Sequence, residues 1–322
     1  MKSNRNFLQS TVSAAVLALL AGSAQAAVSE AEAAKLGKEL TFVGAERAGN
    51  KDGTIPEFKG GTPKGTRKLT DPRVDPFAAE KPLFSIDATN VDKYKDKLTA
   101  GQIELLKTRK GYRMDVYPTH RSCGYPDIIN ERTKKNATLA KLTTDGKDGL
   151  AAALGGAFPF PIPKNGAEAV WNHKLRWQGT GRFEYYQTNF MNPDGTFYGL
   201  AQDQILVMPF ASTKANSPQD VNDVQMMILN TATAPASRTG EIILAHYSLT
   251  GGTNAWMYFP GQRRVRRLPA FDYDNPIPGY ENLETADQYP MFAGSLDRYD
   301  WKLVGNCLLY TSPSPRDGLL SR

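Results

Sequence analysis

Arg182-Phe183-Glu184-Tyr185-Tyr186-Gln187-Thr188-Asn189-Phe190-Met191 runs into Asn192-Pro193-Asp194-Gly195, and then into Thr196-Phe197-Tyr198-Gly199-Leu200-Ala201-Gln202-Asp203-Gln204-Ile205-Leu206-Val207-Met208. Two stretches rich in aromatic and β-branched residues flank a proline–aspartate–glycine corner, which predicts a β-hairpin. Strands are predicted to continue over 224–231, 241–249, 255–259 and 263–268. Gly251-Gly252-Thr253-Asn254 and Pro260-Gly261-Gln262 make tight connections between them. Parallel strands need long crossovers, so consecutive strands with short loops predict an antiparallel meander. The fold class is α+β, mainly β.

Upstream of the hairpin the pattern is helix and loop. Ser29-x-x-Glu32 and Thr99-x-x-Gln102 are capping boxes, in which two side chains satisfy the first orphan amides of a helix. They open a predicted helix over 28–40, with Leu36 and Leu40 on one face, and another carrying Ile103, Leu105 and Leu106 that stops near Lys110-Gly111. Residues 112–117 alternate as a strand closed by Pro118, and Pro126 opens a polar helix or long turn over 127–137. Phe158-Pro159-Phe160-Pro161-Ile162-Pro163 lacks an amide hydrogen at every second residue, which excludes helix and central strand and leaves an extended apolar loop. A helix over 167–177 then places Val170, Trp171, Lys174 and Leu175 on one side. Residues 50–82, rich in Gly, Pro, Lys and Asp, read as an extended surface segment.

The two ends read differently from the body. Lys2 and Arg5, an apolar run from Val12 to Ala21 and the small-x-small site Ala24-Gln25-Ala26 form a secretion signal, expected to be cleaved after residue 26. The run is shorter than the ~20 apolar residues of a membrane span. Ala27, not Cys, follows, so the mature protein is expected to be periplasmic and not lipidated. Residues 307–322, CLLYTSPSPRDGLLSR, resemble the translation of a sequencing adapter. The domain is therefore expected to span 27–306 and to be truncated at its C-terminus. Without Lys2, Arg5, Arg316 and Arg322 of the 39 basic residues, and Asp317 of the 33 acidic ones, the balance falls from +6 to +3. Such a surface carries no argument for nucleic acid. Cys123 then stands alone, expected to be buried or to find a partner beyond Asn306, and no Cys123–Cys307 disulfide is inferred. The three scattered histidines, His120, His173 and His246, have no metal spacing. No cofactor is expected.

Several clusters carry chemistry or packing. Arg263-Arg264-Val265-Arg266-Arg267 lies on a predicted strand, where Arg264 and Arg266 share one face and Arg263, Val265 and Arg267 the other. It is either an edge strand paired with acids such as Asp272, Asp274 or Glu284, or a contact for an anionic head group through Arg264 and Arg266. His120 with Ser122, and Glu168 with Asn172 and His173, lack the base–orienter–nucleophile order of a hydrolase. Glu168 and Asn172, four apart, suit a polar packing contact. Phe183, Tyr185, Phe197, Trp256 and Tyr258 either fill a core or line an apolar cavity for an acyl chain.

Tyr117-Pro118-Thr119-His120-Arg121-Ser122, the Phe158–Pro163 run, Glu168-Ala169-Val170-Trp171-Asn172-His173, Pro260-Gly261-Gln262-Arg263-Arg264-Val265-Arg266-Arg267 and Asp297-Arg298-Tyr299-Asp300-Trp301-Lys302 together resemble the signature blocks of one family. It is a domain-of-unknown-function family of Gram-negative periplasmic proteins, outer-membrane lipoprotein-sorting-like (LolA-like). The resemblance implies an incomplete antiparallel β-barrel, a LolA/LolB-like half-barrel with helices across its opening. It also implies a lipid-like cargo, a partner exporter of the resistance-nodulation-division type or an outer-membrane partner, and no catalytic residue. The expected function is a carrier or adaptor, with a cell-envelope assembly protein and a hydrolase as the other readings.

Overall fold

The computed structural model describes residues 28–61, 75–143, 149–269, 271–288 and 290–305. The segments read above as a secretion signal and as an adapter translation lie outside the described residues. Ten strands and four α-helices are described. Helices are α1 (Glu30–Ala33), α2 (Ala100–Thr108), α3 (Asp127–Leu139) and α4 (Gly166–Lys174). Two small antiparallel pairs precede the main sheet: β1 (Phe84–Ile86) with β2 (Met114–Val116), and β3 (Lys141–Leu142) with β4 (Leu150–Ala152).

The main sheet is the predicted meander. Strands β5 (Gly181–Met191), β6 (Phe197–Val207), β7 (Val224–Ala234), β8 (Ile242–Ser248), β9 (Asn254–Phe259) and β10 (Arg264–Leu268) lie side by side in chain order, each antiparallel to the next. The sheet is unclosed, with β5 and β10 at its edges. In the first hairpin Gly195 adopts φ 86°, a conformation open to glycine at no steric cost. The Asn192 amide donates to the Thr196 carbonyl at 2.8 Å and closes the turn.

One face of this sheet is packed. Ile243, Ala245, Ala255 and Met257 gather under Phe271, while Phe190, Leu200 and Ala232 gather under Tyr280. The chain that lies over this face, from Phe271 to the end of the described residues, carries no helix or strand. Irregular chain, and not the expected helices, therefore covers the centre of the sheet. Helix α4 sits at one end, where Val170 and Trp171 pack with Phe210, Leu249 and Leu296. Gly166 permits this: a Cβ there would come 2.4 Å from the Trp301 carbonyl carbon.

The proline-rich loop is buried, with Phe158 and Phe160 in the core. Sealing a peptide group without a partner costs about 1–3 kcal/mol, and the two flanking helices supply the partners. Thr133 Oγ1 of α3 accepts the Phe158 amide at 3.1 Å, and Asn136 Nδ2 donates to the Phe158 carbonyl at 3.1 Å. Asn172 Oδ1 of α4 accepts the Phe160 amide at 2.8 Å, and its Nδ2 donates to the Phe160 carbonyl. Glu168 accepts the Lys164 amide at 2.6 Å. Glu168 and Asn172 thus make a helix–loop contact.

Three local expectations are corrected. The helix predicted over 28–40 is the single turn α1, because Gly37 adopts φ 81° and its amide donates to the Leu40 carbonyl. The sequence reads Asp297 to Gly305 as a polar turn leading into a strand, but residues 301–305 pair with no strand among the described residues. Cys123 is exposed, not buried. Helix α3 and the loop over 158–163 stand as predicted, and the described parts of 50–82 lie outside helices and strands.

Replacing Asn172 by Leu keeps the branching and heavy-atom count of the side chain but strands the Phe160 amide and carbonyl. We expect a loss of about 2–6 kcal/mol in urea unfolding at neutral pH. A loss below about 1 kcal/mol would show that the loop does not depend on this side chain.

Candidate functional site

Alternation along each strand sends its residues to opposite faces, and the register aligns those faces across the sheet. Phe183 pairs with Ile205, Ile205 with Leu229, Leu229 with Leu244, and Leu244 with Trp256. An apolar row therefore runs across five strands. A flanking row passes from Tyr185 through Asp203, Thr231 and Ile242 to Tyr258, and Tyr258 pairs with Val265. None of Phe183, Ile205, Leu229, Leu244 or Trp256 belongs to a core cluster. Phe183 is 52% exposed, Tyr185 77% and Phe197 59%. The packed face is formed by the alternate residues, such as Leu200, Leu206, Ile228 and Ala245.

The structure thus brings Phe183, Tyr185, Phe197, Trp256 and Tyr258 to one face of the sheet. Phe183 and Tyr185 meet edge to face at 4.7 Å between centroids, and His246 meets Trp256 in the same way at 5.5 Å. Such pairs contribute ~0.5–1.5 kcal/mol beyond their area.

Arg264 and Arg266 are not brought to this face. Arg264 pairs with Phe259 and Arg266 with Met257 on the packed side, whereas Arg267 pairs with Trp256. The acids expected beside the arginines are engaged elsewhere. Asp272 accepts from the Thr253 amide and hydroxyl, and Asp274 pairs with Arg298 at 3.0 Å. Arg266 instead donates to Gln262 and lies over the Phe259 ring, and Arg267 donates to Asn254 at 2.7 Å.

The other blocks singled out by sequence are fastenings. His120 Nε2 contacts both carboxylate oxygens of Glu80, at 2.8 and 2.9 Å, with its ring stacked on Phe77. Arg121 donates to the carbonyls of Glu46, Arg47, Ala48 and Pro56 and covers the Phe58 ring. His173 Nε2 donates to the Pro290 carbonyl at 2.6 Å.

Lys174 is the group that sequence reasoning placed on a helix face without seeing its surroundings. Its ammonium donates to the Gly294 carbonyl at 2.7 Å and lies over the rings of Trp171 and Phe292, at 4.6 and 5.7 Å. Burial lowers its pKa from 10.5 to about 8, opposed by the charge of Asp272. Burial also raises the Glu168 carboxyl, against the hydrogen bond from Lys164. Among the described residues no group of three or more His, Cys, Asp or Glu side chains could hold a metal ion. No described helix is long and apolar enough to cross a membrane.

The fold is that of a mainly antiparallel β protein with an unclosed sheet and few helices. The chain belongs to the DUF1329 family, described as proteins of unknown function, whose profile matches residues 85–313. It is 41% identical over 316 residues to the uncharacterized protein PA3922 of Pseudomonas aeruginosa, covering 96% of this chain and 68% of that protein. A crystal structure from Vibrio parahaemolyticus, given the provisional name of an outer membrane lipoprotein-sorting protein domain, matches at 20% identity and TM-score 0.28 over 36% of this chain and 46% of that one. A DUF1329 family protein from Desulfovibrio piger matches at 16% identity and TM-score 0.30 over 44% of this chain and 56% of that one. The chain thus spans about half of each solved relative.

A lysine whose pKa is depressed on folding binds fewer protons in the native state than in the unfolded one between the two values, so stability rises with pH there. Relative to Lys174→Met, the wild type should gain up to about 1.4 kcal/mol per pH unit between pH 8 and 10.5. Parallel denaturation curves across that interval would count against the buried ammonium.

Proposed function

We propose that this protein is a soluble periplasmic carrier or adaptor for a hydrophobic, lipid-like molecule, working with an inner-membrane exporter. The observation that carries the reading is the row from Phe183 through Ile205, Leu229 and Leu244 to Trp256, which belongs to no core cluster among the described residues. Contiguous apolar surface in water is unfavourable unless an apolar partner covers it. Each buried CH₂ contributes ~0.8 kcal/mol, so an acyl chain laid along the row is held without directional bonds. The unclosed sheet then acts as an incomplete barrel whose apolar side receives the cargo. Its flanking aromatics, Tyr185 and Tyr258, grip the chain from the side. The secretion signal read at the N-terminus and the family agree with an envelope role.

A second reading keeps the same row and changes its occupant. Exposed aromatics are enriched where proteins meet, and Tyr185 and Phe197 are exposed aromatics of this face. An assembly protein of the cell envelope would cover the row with a partner chain.

Native mass spectrometry of protein expressed in the periplasm separates the two. The carrier reading expects a co-purifying lipid mass and uptake of a fluorescent acyl probe. Leu229→Glu and Leu244→Glu should each weaken uptake by at least about tenfold, with the circular dichroism spectrum unchanged. Wild-type protein that carries no lipid, takes up no probe and instead retains a protein partner lost in the same variants would replace the carrier with the assembly factor.

A further inference from the structure

At the end of the sheet beside α4 the packed face leaves a cavity of about 70 Å³. It lies on the side of the sheet opposite the apolar row, so nothing about it depends on the carrier reading. His173, Lys174, Arg176 and Arg182 line it, and no Asp or Glu does among the described residues. Met208, Phe210 and Phe292 complete its walls. A space of this size holds a few waters or one small polar group, not an acyl chain.

The cations in it are held in place from behind. Arg182 is paired with Glu184 at 2.8 Å, and Arg176 Nη1 donates to the His173 carbonyl at 2.7 Å. An ammonium has three donors, and Lys174 gives one to Gly294. Its others have no protein acceptor among the described residues. Gln225 lines the cavity too, with its Nε2 anchored on the Lys174 carbonyl at 3.0 Å. The cavity thus offers cationic donors and no carboxylate among the described residues. That combination matches a small oxyanion, such as a phosphate or phosphate monoester.

We propose that this cavity is a phosphate site, with the oxyanion on Lys174 and Arg176. Charge-assisted hydrogen bonds to an ammonium and a guanidinium are among the strong ones, and the enclosure reduces their screening. Bound anion also returns to Lys174 the favourable charge environment that burial removed. The phosphate comes either free or as the head of a phospholipid whose tail leaves through the mouth.

Isothermal titration calorimetry on the full-length protein tests this with inorganic phosphate, dihexanoyl phosphatidic acid and, as a neutral control, dihexanoylglycerol. Both phosphates should bind and the diglyceride should not. Lys174→Met and Arg176→Gln should each weaken phosphate at least about tenfold. Nuclear magnetic resonance of the Lys174 amine should show its pKa rising from about 8 when phosphate is added, a response that a purely structural lysine would not give. Phosphatidic acid binding far more tightly than inorganic phosphate identifies a lipid head group, and equal affinity identifies the free ion. No heat with either phosphate, or equal affinity in wild type and both variants, would overturn the site.

Discussion

Peptide groups sealed from water need partners, and a loop with alternating prolines cannot find them in a neighbouring strand. Phe158 and Phe160 are in the core of this protein all the same; their amides are accepted by Thr133 and Asn172, and their carbonyls take donors from Asn136 and Asn172. Those three side chains come from two different helices. The loop therefore works as a common anchor, holding α3 and α4 in one orientation. From that orientation follows the seat of Trp171 against Phe210 and Leu249, and with it the depth of Lys174 beside the end of the sheet.

Among the described residues the main sheet has one face packed and one bare. The packed face is covered by irregular chain from Phe271 onward, fastened by side-chain contacts. Arg298 lies over the Tyr273 ring at 3.6 Å, Tyr273 donates to Asp297 at 2.9 Å, and Tyr280 donates to Gln202 beneath it. Polar anchors of this kind fix the covering chain without requiring it to be helical. The bare face carries the longer aromatic side chains, in the reverse of the usual arrangement in which the large apolar groups go inward. Small residues such as Ala232, Ala245 and Ala255 take the packed side, where the covering chain comes close.

Much of this was legible in the sequence where the signal was local. The capping boxes at Ser29 and Thr99 and the Asn192–Gly195 corner each depend on neighbours within a few residues, and all three formed. Period-two alternation also told which residues of a strand share a face. It could not align one strand with the next, because register shifts at Ala201/Gln202 and Val224/Met226 intervene. Strand β1 has three residues and exists through a partner some thirty positions away, so nothing local announces it. The surroundings of Lys174 depend on Gly294 and Phe292, far along the chain, and no helix-face argument reaches them.

Arg121 clasps four carbonyls of the chain between Glu46 and Pro56 with a single guanidinium, and that stretch is held by no strand of the main sheet. Nearby, Gly61 and Gly124 approach so closely that an added Cβ on either would collide with backbone. Segments tied at so few points tend to open as a unit well below the free energy of global unfolding. The strap and the Tyr117–Ser122 corner therefore form one latch. Release of the guanidinium is expected to expose the amides of both to solvent together while the sheet stays shut.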